Sequence, residues 1–362
     1  MTYRPADAID TSRLKRALVV KLRHHGDVLL TSPVFTVLKN HAPQIEIDAL
    51  VYDDTSAMLT LHPAVAEVHT VGRKWRALSP RARLAEEWRL FTRLRARGYD
   101  LLVHLTDHPR GAWLARALGV RYAVAPNDAG KDRLWRSNFT HLFALPRNGG
   151  RHTVELHLDA LRRLGIQPGG DERALALVPG AAADDSVAAR LLDSGFAGRD
   201  FVHVHPTSRW LFKCWPEASF AALIDRLHEE GLPVVLTAAP SEGELAMLAR
   251  IRSATRAPNV DFGGKLSLKE LAALTARARL FVGVDSAPMH IAAAVGTPSV
   301  ALFGPSDEVV WGPWQARTRV VTSDAFRCRP CGRDGCGGGK LSECLSTLPV
   351  ERVWEAVREL LG

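Results

Sequence analysis

Short apolar runs alternate with longer amphipathic stretches along the first half of the chain. The first run, residues 17–22, is rich in Val and Leu and predicts a buried strand of a parallel sheet. Further elements are predicted as strands at residues 45–51, 67–71 and 101–104 and as helices at residues 28–41 and 81–97. Pro33 should kink the first helix or mark a restart with Ser32 as its N-cap. The alternation predicts an α/β domain whose strand-end loops meet at one edge, where ligands bind.

A stretch rich in Gly, Ala and Pro at residues 168–183 is the best linker candidate in the chain. It follows a helix predicted at residues 153–164. Beyond it the pattern restarts, with strands predicted at residues 201–205, 233–237, 280–284 and 299–303. Helices are predicted at residues 217–230, 241–251, 267–276, 288–295 and 350–361. We therefore expect two domains of similar architecture, at residues 14–175 and 185–345, followed by a terminal segment at residues 346–362.

Length, composition and charge narrow the class of protein. The 362 residues are too many for one ordinary core, and the 46% of hydrophobic and 24% of charged residues are typical of a globular protein. The net charge of 47 − 39 = +8 favours anionic partners, which are an anionic membrane surface, phosphorylated ligands or nucleic acid. Nucleic acid is the weakest option because no recognition module is visible. The N-terminus lacks an apolar signal segment and no apolar run is long enough to cross a bilayer, so we expect a cytoplasmic protein.

The stretch at residues 281–298 carries the strongest site pattern. A buried strand ends at residue 284, Asp285 and Ser286 form a tight turn, and Pro288 begins a helix. The N-terminus of such a helix attracts anions, contributing roughly 0.3–1 kcal/mol for each nearby charge. His290, about one turn inside, shares a face with Ser286. The alternative is that Asp285 and Ser286 only cap the helix and His290 belongs to the core, but their place at a strand end favours a ligand site.

A second pattern follows the strand at residues 201–205. Thr207 and Ser208 offer hydroxyl and backbone donors, and Lys213 offers a mobile charge suited to a diphosphate. The aromatic residues of this loop could stack on a base or ribose, although at least two of them more readily close the sheet edge; they are Trp210, Phe212 and Trp215. The loop is not a Walker P-loop, and no Gly-x-Gly-x-x-Gly follows the first strand, which argues against an ordinary dinucleotide dehydrogenase.

Gly26 and Asp27 follow the first strand. The glycine allows the backbone to approach a ligand closely, and a carboxylate at this strand end can act as general base toward a hydroxyl group. The alternative is that Asp27 only caps a helix. Asp107, after the strand at residues 101–104, is the alternative base.

Two further segments have more than one interpretation. Residues 73–97 hold nine Lys or Arg against two Glu, with apolar residues at helical spacing, which predicts either a solvated basic face or a surface for anionic lipid or a phosphorylated acceptor.

Four cysteines crowd into a loop rich in Gly and Arg, and they could bind structural zinc, form disulfides or stay free; they are Cys328, Cys331, Cys336 and Cys344.

Taken together, residues 19–28, the loop from Thr207 to Lys213 and residues 285–290 resemble the three signatures of the bacterial ADP-heptose:lipopolysaccharide heptosyltransferases, glycosyltransferase family nine. The likeness runs from about residue 16 to the C-terminus. The loop at residues 208–215 and the late cysteines are most similar to the heptosyltransferase III type of this family. The resemblance implies a GT-B fold of two Rossmann-like domains facing a central cleft. The first would bind the acceptor and the second the nucleotide-sugar, with the terminal helix packing back toward the first.

The resemblance also implies roles for individual residues. Asp27 matches the family's general base, in an inverting transfer without a catalytic metal or cofactor. The positions that match donor contacts are Thr207, Ser208, Lys213, Glu242, Leu266, Asp285, Ser286, Ala287 and His290. Within this set, Glu242 and Leu266 would meet ribose and adenine. The pair Ser286 and Ala287 stands where the transferases of the first heptose have Thr-Gly, so this sequence departs from the family pattern there.

The implied donor is ADP-L-glycero-D-manno-heptose, and the implied acceptor is a heptose of the lipopolysaccharide inner core. A peripheral position on the anionic cytoplasmic face of the inner membrane follows from that acceptor. Two alternatives stay open: a related glycosyltransferase with another nucleotide-sugar donor, and a non-catalytic protein that binds a nucleotide-sugar.

Overall fold

The computed structural model describes residues 5–146, 150–196 and 200–362. The chain divides into two compact units, Met1–Leu177 and Val178–Gly362. Each unit contains one six-stranded sheet in which every pairing is parallel. This confirms the predicted α/β class with two doubly wound, Rossmann-like domains.

The strands of the first unit are β1 Arg16–Val20, β2 Glu46–Tyr52, β3 Glu67–Val71, β4 Leu101–His104, β5 Tyr122–Asn127 and β6 His141–Ala144. Those of the second unit are β7 Val202–His205, β8 Val234–Leu236, β9 Asn259–Asp261, β10 Leu280–Val284, β11 Ser299–Leu302 and β12 Thr318–Val321. The sheet orders are β3-β2-β1-β4-β5-β6 and β12-β11-β10-β7-β8-β9. In both sheets the order in which strands are added reverses between the first and fourth strands of the unit, which lie side by side. These strands are β1 and β4 in the first sheet and β7 and β10 in the second. Ligands of doubly wound folds bind beyond the carboxyl ends at this switch point.

The helices of the first unit are α1 His25–Leu29, α2 Ser32–His41, α3 Pro80–Arg97, α4 Pro109–Ala117, α5 Arg133–Arg136 and α6 Thr153–Arg163. Those of the second unit are α7 Ala181–Asp193, α8 Glu217–Glu229, α9 Glu242–Ala254, α10 Leu268–Arg277, α11 Ala287–Ala294, α12 Glu308–Trp311, α13 Glu343–Ser346 and α14 Val350–Leu361. Short 3-10 turns connect several of these elements, among them Asp53–Met58, Arg73–Ala77 and Leu211–Lys213.

Burial of the central strands explains why their sequences are apolar almost throughout. All five residues of β10 are buried, and so are four of the five in β1, because helices cover both faces of a parallel sheet. The terminal helix α14 places Val353, Trp354 and Val357 in the core of the second unit. Its predicted packing toward the first domain stays a prediction.

The structure differs from the predicted elements where strands are short, exposed or interrupted. Strands β5, β6, β9 and β12 were not predicted: β5 contains Pro126, β9 is only half-buried, and two of the four residues of β12 are exposed. Helix α7 lies partly within the predicted linker and continues beyond it, since its alanines form a helix that begins after Gly180. The predicted helix at residues 28–41 is two helices, α1 and α2, with Thr31 rather than Ser32 as the N-cap of the second.

Candidate active site

The turn after β10 places an acidic residue beside an open helix N-terminus. Asp285 is nearly buried, and its backbone N–H donates to the Leu302 carbonyl (3.2 Å). Ser286 is the N-cap of α11, yet its hydroxyl donates back to the Val284 carbonyl (3.2 Å) and makes no capping bond to the helix. The interpretation of Ser286 as a side-chain cap is therefore wrong. Pro288 has no N–H and the Met289 N–H donates to the Ser286 carbonyl (3.1 Å), so the Ala287 N–H is the amide of the first turn that can meet an anion. Ser286 and Ala287 are partly exposed there, whereas His290 is buried.

Lys213 and Asp285 form an ion pair across the switch point of the second sheet. Lys213 ends the 3-10 turn in the loop after β7, and its Nζ lies 2.6 Å from Oδ2 of Asp285, in the loop after β10. The lysine keeps about a quarter of its side chain exposed. Because an ammonium group has three donors, Lys213 can hold Asp285 and a phosphate oxygen together. The structure thus joins two motifs that are 72 residues apart.

Thr207 lies beneath this loop and is bound by a residue that the sequence did not single out. Its hydroxyl donates to Oε2 of Glu244 (2.8 Å), which is itself buried. Glu244 Oε1 also accepts from the Ser241 hydroxyl (3.1 Å). The predicted Glu242 is exposed in the first turn of α9 instead. A signal was present in the sequence, because Glu244 falls at helical spacing on the face of α9 that buries Met247, Leu248 and Ile251.

The remaining residues predicted in the second unit have mixed positions. Ser208 is buried beside Thr207. Leu266 is partly buried between β9 and α10 and packs against the core of its unit. In the aromatic loop, Trp215 is buried and its Nε1 donates to the Leu348 carbonyl (2.9 Å), and Phe212 is buried as well. Trp210 is the exposed member, so two of the three aromatics are structural, as predicted.

Two histidines of β7 lie under the same loop as neutral groups. Burial lowers the pKa of His205 to about 3. Burial, and then the neighbouring His205, lower the pKa of His203 well below its usual range. The Thr237 hydroxyl lies 2.7 Å from both rings. They support the loop and carry no charge toward a ligand.

Asp27 of the first unit lies in the first turn of α1, which begins directly after β1. It is not the N-cap, since His24 occupies that position. The interpretation of Asp27 as a capping residue alone is therefore wrong. Asp27 and Gly26 are partly exposed at the carboxyl edge of the sheet, where a carboxylate can reach a hydroxyl group.

Lys21 is a buried cation behind Asp27 that the sequence analysis missed. Its Nζ donates to the Leu105 carbonyl (3.0 Å) and to Nε2 of His157 (2.8 Å), while Nδ1–H of His157 donates to the Leu30 carbonyl (3.0 Å). Burial lowers the pKa of Lys21 to about 8, and the charge of Asp27 opposes that shift. Burial, and then the charge of Lys21, lower the pKa of His157 well below its usual range. A lysine inside the apolar run at 17–22 was the available signal.

Asp107, the alternative base, is already paired. Its Oδ1 accepts from Arg23 (2.6 Å), and Lys131 lies 4.0 Å from its other oxygen. Burial raises the pKa of Asp107, but the charge of Arg23, a backbone hydrogen bond and the charge of Lys131 together hold the pKa below its usual range. Because Arg23 and Lys131 already engage its carboxylate, Asp107 is a weaker candidate for the general base than the partly exposed Asp27.

Two adjoining cavities of about 320 and 190 Å³ in the first unit are rich in cations. They share Tyr52, Arg73 and His108, and their further basic residues are Arg23, Lys131, Arg76, Arg83 and Arg110. Burial, followed by the charges of Arg110 and Arg76, lowers the pKa of His108. The carboxylates of Asp107 and Glu87 also line the cavities, but the arginines and the lysine outnumber them, and the resulting positive potential suits an anionic ligand.

The late cysteines are free thiols, as is Cys214. Over residues 5–146, 150–196 and 200–362, the group able to chelate an ion is Asp48, Glu67 and His69, not the cysteines. Asp48 already accepts from Arg97 and Tyr99 (both 2.7 Å), so this group belongs to a structural network. The zinc and disulfide interpretations of the cysteines have no support in this structure.

No helix in the described part of the chain is long and apolar enough to span a membrane.

Comparisons with known proteins agree with this architecture. Residues 87–341 match the family model described as glycosyltransferase family 9 (heptosyltransferase). Lipopolysaccharide heptosyltransferase 3 of Escherichia coli is 37% identical over 342 residues, which cover 94% of this chain and 97% of the relative. Among solved structures, a family 9 glycosyltransferase from Veillonella parvula has a TM-score of 0.84 at 23% identity, over 98% of this chain and 99% of the other. The E. coli heptosyltransferase WaaC with ADP has a TM-score of 0.73 at 22% identity, over 95% and 99%.

Proposed function

Because the chain belongs to glycosyltransferase family 9, the heptosyltransferases, we propose that it moves a heptose from ADP-L-glycero-D-manno-heptose to a heptose of the lipopolysaccharide inner core. The type III specificity is supported by the full-length similarity to a relative of that name. The main observation in support of donor binding in the second unit is the Lys213–Asp285 pair at the N-terminus of α11. A cation and a helix N-terminus at a switch point can stabilise a departing diphosphate.

The proposed transfer is a displacement with inversion. Asp27 takes the proton of the acceptor hydroxyl as its oxygen bonds to the anomeric carbon of the donor, and the bond from that carbon to the diphosphate breaks. ADP leaves with the bonding electrons. Lys213, the Thr207 and Ser208 loop and the N-terminus of α11 stabilise the charge that develops on ADP. The charge of Asp27 opposes the desolvation of the buried Lys21, so the two residues are electrostatically coupled.

The acceptor is proposed to lie against the cationic cavities of the first unit. Inner-core lipopolysaccharide carries acidic groups, and Arg76 and Arg83 have no acidic partner among the ion pairs of the described residues. Their charge is therefore available to a phosphoryl or carboxylate group. Arg73 is held in place, since its guanidinium lies 4.1 Å above the Tyr52 ring.

We further propose that the first unit touches the anionic cytoplasmic face of the inner membrane through α3 and α4. Trp88 and Trp113 are both more than half exposed, and their rings both pack against Phe91, at 5.8 and 5.3 Å between centroids. Leu84, also exposed, lies one turn before Trp88. Exposed tryptophans among arginines are typical of a helix that lies in the headgroup region of anionic lipid.

A donor-range assay tests the proposed function. Purified protein is incubated with inner-core lipopolysaccharide that lacks the branch heptose and with ADP-heptose, ADP-glucose or a UDP-sugar, and release of the nucleoside diphosphate is measured. Release with ADP-heptose that depends on the acceptor supports the proposal. If the nucleoside diphosphate is released only with another sugar donor, the chain is a glycosyltransferase with that donor. If ADP-heptose binds but no ADP is released, the chain is a non-catalytic binding protein.

A further inference from the structure

Six polar side chains form a continuous row in the interior of the second unit, beneath the loop after β7. They belong to β7, to the loops after β7 and β8 and to helices α9 and α10, and each is at most 5% exposed; they are Thr275, His203, Thr237, His205, Thr207 and Glu244. Burying polar groups costs stability unless each one has a hydrogen-bond partner. Thr207 is the member that the sequence predicts as a site residue, so this polar row leads from the site into the core.

The orientation of the first bonds in the polar row follows from Thr275. Its hydroxyl donates to the Leu271 carbonyl (2.6 Å), since a carbonyl can only accept. The Thr275 oxygen therefore accepts from Nδ1 of His203 (3.1 Å), which places a proton on that nitrogen. Because burial keeps the His203 ring neutral, its Nε2 holds no proton. The Thr237 hydroxyl must then donate to Nε2 of His203 (2.7 Å).

Thr237 passes this orientation on to His205. With its own proton donated to His203, the Thr237 oxygen accepts from Nδ1 of His205 (2.7 Å). Burial keeps His205 neutral too, so its Nε2 holds no proton and faces the Thr207 hydroxyl at 3.5 Å. The Thr207 proton therefore has two acceptors, and Oε2 of Glu244, at 2.8 Å, is the nearer. Each hydroxyl and ring proton of the polar row thus has one assigned place.

Thr207 and Ser208 are adjacent, yet their hydroxyl groups differ. The Thr207 hydroxyl is fully buried and donates to Glu244, and its other neighbour, Nε2 of His205, can only accept. A phosphate oxygen is also an acceptor, so it could bind this hydroxyl only by taking the proton from Glu244. The Ser208 oxygen accepts from the Trp210 N–H (3.3 Å), which leaves its own proton to be donated. Ser208 is therefore the better hydroxyl donor toward a ligand, and Thr207 supports the loop.

We propose that His203 and His205 are positioning residues of the transfer reaction, which hold the loop after β7 through Thr207 so that Ser208 and the backbone face the donor diphosphate. The inference rests on the proposed function, because that function places the diphosphate at this loop. It departs from the family resemblance at Thr207, whose hydroxyl binds Glu244 and makes no contact with the donor. The polar row can hold the loop because a hydroxyl that turned would leave a buried acceptor without its donor.

The histidine tautomers of the wild-type protein test the proton assignment. Long-range proton–nitrogen correlation spectra of protein with isotope-labelled histidine distinguish a ring that is protonated on Nδ1 from one that is protonated on Nε2. The signals of the two rings are identified by their loss in His203→Asn and His205→Asn. Both rings should carry the proton on Nδ1, with and without ADP. A proton on Nε2 of either ring, in either state, would overturn the assignment.

A pair of amide substitutions tests the positioning role. The amide of His205→Asn lies near the position of Nδ1 and can still donate to Thr237, whereas the amide of His205→Gln lies near that of Nε2 and cannot. His205→Asn should bind ADP within about 3-fold of wild type and His205→Gln about 10-fold more weakly, with the KM for the acceptor unchanged in both. His228→Gln, at an exposed histidine of α8, is the control. Equal ADP affinity in the two folded His205 variants would refute the role.

Substitutions of the two adjacent hydroxyls separate a ligand contact from a support. Ser208→Ala should weaken ADP binding at an unchanged melting temperature, whereas Thr207→Val should also lower the melting temperature, because Glu244 loses a donor. Thr207→Ser, which keeps the hydroxyl, should restore most of both. A Thr207→Val protein with weakened ADP binding and the wild-type melting temperature would make Thr207 a direct contact, against the proposal. Failure of the proposed function is seen separately, as wild-type protein that neither binds ADP-heptose nor transfers, whatever the histidine tautomers.

Discussion

The Nζ atom of Lys21 lies 2.8 Å from Nε2 of His157 in the interior of the first unit. Both neighbours of this ammonium group, the imidazole and the Leu105 carbonyl, are neutral. Asp27 is the acidic residue whose charge most opposes the desolvation of Lys21. The buried lysine and the proposed base are therefore electrostatically coupled, and this coupling can be measured through stability.

We predict that Lys21 makes stability depend on alkaline pH. Its pKa is about 8 in the folded protein against 10.5 in the unfolded chain, so the unfolded chain binds more protons between these values. The free energy of unfolding should then rise from about pH 8 to about pH 10.5 in the wild-type protein relative to Lys21→Met. Urea denaturation of both proteins across this range checks the difference. Asp27→Asn should move the lower edge of the rise to lower pH, whereas identical profiles in all three would exclude the coupling.

We predict that Lys213 acts on the leaving group. Lys213→Met should lower kcat by about 10²–10³-fold because it removes one charge from the departing diphosphate. Stability should fall as well, since the nearly buried Asp285 loses its partner, so kcat is measured well below the melting temperature of the variant. Steady-state kinetics with saturating acceptor provide the measurement, and Lys265→Met, at an exposed lysine of the same unit, provides the control. Turnover near the wild-type rate would remove Lys213 from the mechanism.

We predict that Glu244, not Glu242, supports the donor site. Glu244→Gln replaces one of the two carboxylate oxygens with an NH2 group, so either the Thr207 or the Ser241 hydroxyl loses its acceptor, which should cost about 1–3 kcal/mol of stability and weaken ADP binding. The paired variant Glu242→Gln, two residues away on the exposed face, should stay within about 0.5 kcal/mol. Thermal denaturation and ADP titration compare the two. A loss of ADP affinity in Glu242→Gln alone would restore the residue that the family resemblance indicated.

We predict that the exposed tryptophans of α3 and α4 bind anionic lipid. The double variant Trp88→Ser and Trp113→Ser should lose co-sedimentation with vesicles of phosphatidylglycerol and phosphatidylcholine, because it removes the apolar contacts and keeps the charges. The control is Leu192→Ser, an equally exposed apolar position of the second unit. Binding should also weaken with salt. Equal sedimentation of all three proteins at every salt concentration would contradict the proposed surface.

The fold was predictable because the central strands are apolar runs between amphipathic helices. Strands β3, β4 and β10 and helix α14 have the predicted bounds, and the predicted class of two Rossmann-like domains is confirmed. The edge strands β9 and β12 escaped prediction because their half-exposed residues lack a buried pattern. Helix α7 was not predicted because its first residues are alanines next to glycine and proline, a composition that we interpreted as a linker.

The site was predictable where chemistry lies at a strand end, as for Asp27, Lys213 and Asp285. It was not predictable where a contact is formed by distant segments. Glu244 meets Thr207 from 37 positions away and Lys21 meets His157 from 136, and neither spacing resembles a local motif. The polar row beneath the loop after β7 combines residues from β7, from helices α9 and α10 and from the loops after β7 and β8, which a linear pattern cannot bring together.

Mass spectrometry of inner-core lipopolysaccharide after incubation with ADP-heptose tests the central claim most directly. Wild-type protein should add the mass of one heptose to an acceptor that lacks the branch heptose. Asp27→Asn should add none under the same conditions while still binding ADP. No gain in mass with the wild-type protein, on any acceptor of the inner-core series, would contradict the proposed transfer.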